Sequence, residues 1–398
     1  MSQEQHEAVC VGCGSPLQSQ DEQAPGFVPN SAIGKANVQC RRCFRIRNYG
    51  EFLPVQVSER AYQEQVAQIF DNPGLVLYVI DVFDLSGSLV PNLARFVMNS
   101  EVVVVVNKVD LLPKGIHYEA LSDWILEQVR ATRVEAKEVL FVSAASTEGM
   151  DQLIHRVGDV TDKPIYVVGM ANTGKSTLLN AIAKRFEVQN DPYTVSRRPG
   201  TTLALSKFQV EGPTGPLTFV DTPGLVHGTR VIDRLCADCL KRAVPDARIR
   251  PKVYQLNPEQ TLFLGGFARL DFEAGVRQPI VLYISNQLPV HRSKLERAEI
   301  IWEQHRDDIL QVPCTECRTS FDDLKAHPIQ STRTGQRVPN GTIPVSGRGR
   351  DIVIPGLGWI TLSGATFRGR LWLPSWLDPA LRPRLVGDLT RSREGFSS

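Results

Sequence analysis

The octapeptide Gly169-Met170-Ala171-Asn172-Thr173-Gly174-Lys175-Ser176 constrains this chain more than any other stretch. It ends the apolar run PIYVVGM (164–170) and opens the helical pattern STLLNAIAKRF. Strand, glycine-rich turn and helix in that order aim successive backbone N–H groups at one point, which suits a phosphate oxyanion. Lys175 adds a point charge for the outer phosphates, and the Ser176 hydroxyl suits a hard cation such as Mg2+. Gly169, Asn172, Thr173, Gly174, Lys175, Ser176 and Thr177 are therefore the candidate phosphate-side residues. A glycine-rich turn arising by chance would have no reason to sit between a strand and a helix.

LVLYVID (75–81), VVVVVNKVD (102–110), VLFVSA (139–144) and PIYVVGM are short apolar runs separated by helical segments. That is the pattern of buried parallel strands. The expected class is α/β with a doubly wound sheet, continued by LALSKFQV (203–210) and PLTFVDTPG (216–224). Ligands of such sheets bind beyond the carboxyl ends of the strands. Asn107-Lys108-Val109-Asp110 falls at such an end. A carboxylate there can accept from both N1–H and N2–H2 of guanine, a donor pair that adenine lacks. Asn107, Lys108 and Asp110 would then read the base, with Ser143-Ala144 from the next strand beside it; a plain β–α turn is the alternative. Asp221-Thr222-Pro223-Gly224 ends a further strand, with Asp221 placed to hold Mg2+ through water and the Gly224 N–H placed to meet the terminal phosphate. Pro199-Gly200-Thr201-Thr202 supplies a threonine to close on Mg2+, Thr202 before Thr201.

The order of these motifs is unusual. A guanine-nucleotide domain ordinarily has its phosphate loop first and N-K-x-D later, whereas here N-K-V-D comes first. That is a circular permutation, which a compact domain tolerates because its termini lie close together.

All eight cysteines stand in C-x-x-C pairs: Cys10/Cys13, Cys40/Cys43, Cys236/Cys239 and Cys314/Cys317. The first two pairs flank a segment too poor in apolar residues to fold unaided, so a closed tetrahedral Zn2+ site is expected from Cys10, Cys13, Cys40 and Cys43. Arg41, Arg42, Arg45 and Arg47 surround the second knuckle, either to meet RNA or to offset the negative charge of the thiolates. The other two pairs leave two readings open, reduced thiols or a second zinc. A net charge of +2 excludes a whole-molecule field that would draw the chain to nucleic acid or membrane. From Ser331 onward, however, arginines outnumber acids and Trp359, Phe367, Trp372 and Trp376 interleave with them. Such a mixture suits RNA, and a solvated surface over a β core is the alternative. No apolar run reaches the ~18 residues of a membrane span, and the N-terminus carries no secretory pattern, so a cytoplasmic location without a membrane partner is expected.

With these residues in view, the chain resembles the circularly permuted GTPases, most closely the YqeH family of ribosome-biogenesis GTPases, to which plant and mitochondrial NOA-type proteins are related. CVGCG…QCRRCFR, VIDVFDLSGS, NKVDLLP, GMANTGKSTLLN, PGTTL, DTPG, RPKVYQLNPEQTLFLGGFARLD, HRSKLE and PGLGWITL carry the likeness over nearly the whole chain. It implies GTP hydrolysis with GTP/GDP, Mg2+ and Zn2+ as ligands, coupled to assembly of the small (30S) ribosomal subunit and its 16S-type rRNA. A large-subunit role and a non-hydrolysing RNA-binding zinc protein are the alternatives. The implied organisation is a zinc-binding module (1–55), a permuted P-loop GTPase domain (56–230) and a C-terminal mixed β-rich domain (231–398), expected as a monomer. The resemblance places Lys175, Thr202, Asp221, Gly224 and Asn172 in catalysis. Leu225 stands where Ras-like enzymes carry a water-orienting Gln. Asn172 holds the position that in related K+-activated GTPases helps bind potassium, making K+ a further candidate; a loop-capping amide is the alternative.

Overall fold

Valine-rich runs with no polar face can be satisfied only when both sides of a strand are covered. In the computed structural model every residue of Leu75–Asp81 (β1) is buried, as is Glu101–Asn107 (β2) after its first residue. With Ala136–Phe141 (β3), Pro164–Val168 (β4), Ser206–Gly212 (β5) and Gly215–Asp221 (β6) they form a six-stranded sheet in the order β3-β2-β1-β4-β6-β5. All neighbours are parallel except β5 and β6, an antiparallel pair closing at Gly212 and Gly215. The sequence pattern alone did not show this antiparallel edge. The structure describes residues 8–11, 15–22, 24–33, 35, 38–49, 56–57, 59–116, 118–186, 206–226, 228–332, 338–346, 350–363 and 365–386.

The chain runs outward from β1 to β2 and β3, then returns to the other side of β1 for β4. The strand order therefore reverses between β1 and β4, and a crevice at their carboxyl ends is the default ligand site of such a sheet. Leu77, Val79, Val103, Val105, Ile165, Val167 and Phe219 of the sheet pack with Leu178, Leu179 and Ile182 of the helix Lys175–Arg185. That packing fixes the first turn of the helix at the sheet's carboxyl end.

This sheet belongs to one compact unit, Met1–Asp110 with Ser122–His227; Leu111–Leu121 with Gly228–Ser398 forms a second. The second unit is β-rich. Lys252–Leu256 (β7), Gln260–Leu264 (β8), Ala268–Gly275 (β9), Gln278–Ile284 (β10), Val290–Lys294 (β11), Leu324–Thr332 (β12), Ile343–Ser346 (β13), Arg350–Ile354 (β14), Gly358–Leu362 (β15), Phe367–Pro374 (β16) and Ala380–Pro383 (β17) make two sheets. Their orders are β11-β8-β9-β16-β12-β13 and β17-β14-β15-β10-β7. Both enclose a core that includes Leu262, Leu270, Phe272, Leu282, Ile352, Ile360 and Leu371.

Two expectations are corrected here. The sequence over 293–310 reads as one long helix, and the helix formed is shorter. Val290–Lys294 pairs with β8, Leu295–Arg297 is a 3-10 turn, and only Ala298–Gln304 is α-helical. Pairing with β8 takes Ser293 and Lys294 from the start of the pattern, and a turn over 305–310 ends it. In the arginine-rich tail, Trp359 and Phe367 are core residues, Trp359 stacking on Tyr283 and Phe367 on Phe272. Neither ring is available to stack on a base. Arg382 is buried over the Trp359 ring, its guanidinium carbon 4.3 Å from the ring centroid and inside the ~6 Å reach of a cation–π contact. Among the described residues no helix is long and apolar enough to cross a membrane.

Candidate functional site

The phosphate loop joins β4 to the helix Lys175–Arg185. Its curl needs left-handed backbone at Asn172 (φ 64°) and Gly174 (φ 90°). Asparagine is one of the few residues other than glycine that adopt this conformation readily. At Gly174 no side chain could follow, because a Cβ would lie 2.4 Å from Asn107 Nδ2. Lys175 Nζ donates across the loop to the carbonyls of Gly169 (2.9 Å) and Met170 (2.8 Å), and the Thr173 hydroxyl donates to Met170 O at 3.0 Å. Lys175 and Thr173 are buried, Ser176 half-buried and Thr177 exposed.

The structure brings N-K-V-D to this loop. Asn107 is 1% exposed at the end of β2. Its Nδ2 donates to Thr173 O at 3.1 Å, while its Oδ1 accepts from Lys108 N (2.8 Å) and Ala144 N (3.1 Å). One side chain thus ties together three loops from three strands. Lys108 takes a left-handed backbone (φ 68°) and sends Nζ to Asn172 O and Asp81 Oδ2, both at 2.6 Å. Asp110 lies half-buried in the 3-10 turn Val109–Leu111. Ser143 is buried and its hydroxyl oxygen accepts from Ser146 N at 3.0 Å, which shapes the loop that carries Ala144.

The D-T-P-G segment leaves β6 on the other flank. Thr222 anchors it by donating its hydroxyl to Val167 O at 2.7 Å. Gly224 packs against the phosphate loop, where a Cβ would meet Ala171 Cα at 2.8 Å. Ala171 N donates to Leu225 O at 2.8 Å, and Gly224–Leu225 pairs in parallel with Gln56–Val57. Leu225 is 1% exposed, so the residue after the motif is structural packing. Pro199, Gly200, Thr201 and Thr202 lie outside the described residues.

Two participants escaped sequence reasoning. Asp81, the Lys108 partner, ends an apolar run as Asn107 and Asp221 do, and that shared position was its signal. Arg42, on the helix Arg41–Tyr49, pairs with the Asp221 carboxylate. Arg42 is an ion-pair partner of the carboxylate expected to face Mg2+, a role that neither reading of the knuckle arginines included. Nothing in the local sequence of Arg42 marks this.

Three of the four N-terminal cysteines lie among the described residues, and these three converge. The sulfurs of Cys10, Cys40 and Cys43 lie within 4.8 Å of one another, and Cys40 N donates to Cys10 Sγ at 3.1 Å. Among the described residues the apolar cover around them is Val28, Leu17, Ala32 and Val38, a cluster too small to stand as an ordinary core. Cys13 lies outside the described residues. Tyr62 and Tyr78 are fully buried within the same unit, and burial pushes both phenols far above the usual range, so both stay neutral.

With this geometry in place, similarity to known proteins is informative. Residues 164–249 match a family model described as "50S ribosome-binding GTPase", and residues 277–385 one described as "YqeH-like, C-terminal". The chain is 32% identical to YqeH of Bacillus subtilis over 379 residues, covering 95% of this chain and 99% of that one. It is 26% identical to mouse nitric oxide-associated protein 1, over 90% of this chain and 73% of the relative. It is 25% identical to the Arabidopsis thaliana chloroplastic/mitochondrial NO-associated protein 1, over 89% and 69%. The matched segments include the phosphate loop, D-T-P-G and the β-rich unit, and the chain belongs to the YqeH family of circularly permuted GTPases.

Proposed function

We propose that this GTPase is a nucleotide-dependent assembly factor of the small ribosomal subunit, acting on its 16S-type rRNA as a cytoplasmic monomer. The observation that carries the nucleotide half of this reading is Asn107, whose amide couples the N-K-V-D loop to Thr173 O of the phosphate loop. Base and phosphates are thereby held by one interlocked set of turns. In this reading Asn107, Lys108, Asp110, Ser143 and Ala144 take the guanine side. Gly169, Asn172, Thr173, Gly174, Lys175, Ser176 and Thr177 take the phosphates.

Ser176, Thr202 and Asp221 would hold Mg2+, which when bound offsets charge on the phosphate oxygens. The acceptor set of hydroxyl and carboxylate oxygens fits such a hard cation. Lys175, now on loop carbonyls, would turn to the phosphates and stabilise the charge that grows as the bond breaks. The Gly224 N–H would meet the terminal phosphate. Leu225 cannot orient water, so hydrolysis would lean on Asn172 and a K+ ion beside it. Cys10, Cys13, Cys40 and Cys43 would hold a structural Zn2+.

Sedimentation with purified ribosomal subunits, with GDP and with a non-hydrolysable GTP analogue, tests the partner. Nucleotide-dependent co-sedimentation with the small subunit supports the reading. Co-sedimentation with the large subunit alone favours the second reading, to which the description of the matching GTPase family model points. GTP turnover by wild type against Lys175→Ala distinguishes an enzyme from a nucleotide-binding scaffold.

A further inference from the structure

We propose that Cys236, Cys239, Cys314 and Cys317 form a second, independent tetrathiolate Zn2+ site within the β-rich unit. The two C-x-x-C pairs are far apart in sequence, yet their four sulfurs all lie within 4.8 Å of one another. Tetrahedral coordination at a Zn–S distance of about 2.3 Å places ligand sulfurs about 3.8 Å apart. The Cys236 and Cys314 sulfurs are 3.8 Å apart. A disulfide would need about 2.05 Å, and all four are free cysteines. Packing of thiols as small apolar groups would not require all four to converge on one centre.

The backbone around the sulfurs is arranged reciprocally. Cys236 N donates to Cys317 Sγ and Cys314 N donates to Cys239 Sγ, each at 3.1 Å. Each knuckle thus supports a sulfur of the other, and N–H donors to ligand sulfur are the usual outer support of a metal thiolate. With every ligand a cysteine and no position left for water, the site is structural. Tetrahedral all-sulfur ligation of this size selects zinc among divalent ions that do not change redox state.

The placement gives the metal a task. Gly228 is the first residue of this unit after the D-T-P-G segment. The chain is held at once by the Arg230–Asp233 ion pair (2.6 Å, both 1% exposed) and by Val231 N donating to Pro355 O at 3.0 Å. It then reaches Cys236. Zinc would bind the segment Cys236–Cys239 to Cys314–Cys317 and so give the chain leaving the GTPase motif a fixed anchor within the unit.

Metal analysis of the full-length protein tests this directly. Two zinc ions per chain are expected, falling to one in Cys314→Ser/Cys317→Ser and to one in Cys10→Ser/Cys40→Ser. Wild type alone also decides, should a variant misfold. Native iodoacetamide labelling, mapped by peptide, is expected to spare Cys236, Cys239, Cys314 and Cys317 until a chelator is added. Hydrogen exchange at 236–243 and 313–321 is expected to rise with the chelator. A zinc content unchanged by Cys314→Ser/Cys317→Ser, iron in place of zinc at these thiols, or chelator-independent labelling of these four thiols would overturn the proposal.

Discussion

Replacing Asn107 with alanine should damage the fold and the ligand site together. Its amide is buried and makes three hydrogen bonds of 2.8–3.1 Å, to Lys108 N, Ala144 N and Thr173 O. Alanine leaves two N–H donors and one carbonyl without that partner. Each hydrogen bond contributes about 1 kcal/mol net, and an orphaned buried group costs about 1–3 kcal/mol. The expected loss is about 3 kcal/mol, a factor of about 100 in the folding equilibrium. Urea unfolding of the nucleotide-free protein measures it, and amide exchange at Lys108 and Ala144 locates it. Asp110→Ala is the control. Asp110 sits half-buried in a surface turn, so its loss should weaken GTP binding while changing stability by about 0.5 kcal/mol or less. If Asn107→Ala unfolds at the wild-type urea midpoint while GTP binding collapses, then Asn107 is a base contact alone and does not tie the loops together.

Other substitutions test separate parts of the molecule. Arg42→Ala removes the guanidinium from Asp221, so less Mg2+ should half-saturate GTP turnover, about tenfold less if that competition costs about 1.4 kcal/mol; an unchanged Mg2+ dependence would mean the pair has no influence on the site. Asp110→Asn exchanges an acceptor for a donor, and preference should move from GTP toward xanthosine triphosphate by about 10- to 100-fold, from the 1.5–3 kcal/mol of a hydrogen bond to a charged group; retained GTP preference would refute the base assignment. Turnover should be faster in KCl than in NaCl, and Asn172→Ala should erase the difference; equal rates in the two salts would exclude a potassium role. Burial raises the carboxyl pKa of Asp351 despite Arg382 beside it. The folded chain therefore holds this proton more tightly than the unfolded one, and the associated stability is present at low pH and lost as pH rises through the raised value. The stability margin of wild type over Asp351→Asn should accordingly shrink across that window, and a margin that grows with pH would contradict it.

Much of the site could be read along the chain. Phosphate loop, N-K-V-D and D-T-P-G each follow an apolar run, and a strand end followed by a glycine-rich turn is a local event governed by hydrophobic period and backbone freedom. The permuted order needed only the positions of these motifs. The strand runs at 75–81 and 164–170 matched β1 and β4 closely because buried β-branched residues leave little choice of structure. The helical pattern over 293–310 was met only in part, because pairing with β8 took its first two residues and a turn its last six. Trp359 and Phe367 looked like nucleic-acid contacts because spacing does not say which face of a strand meets the core.

What the sequence by itself determined, then, is the set of turns able to hold a guanine nucleotide, since each is built from neighbouring residues. Only the tertiary structure decided that Arg42 meets Asp221, that Lys108 bridges Asp81 and Asn172, and that Cys236 and Cys239 face Cys314 and Cys317. Those contacts join segments whose separation along the chain carries no distance information. They form where packing within each unit returns the chain to the same place.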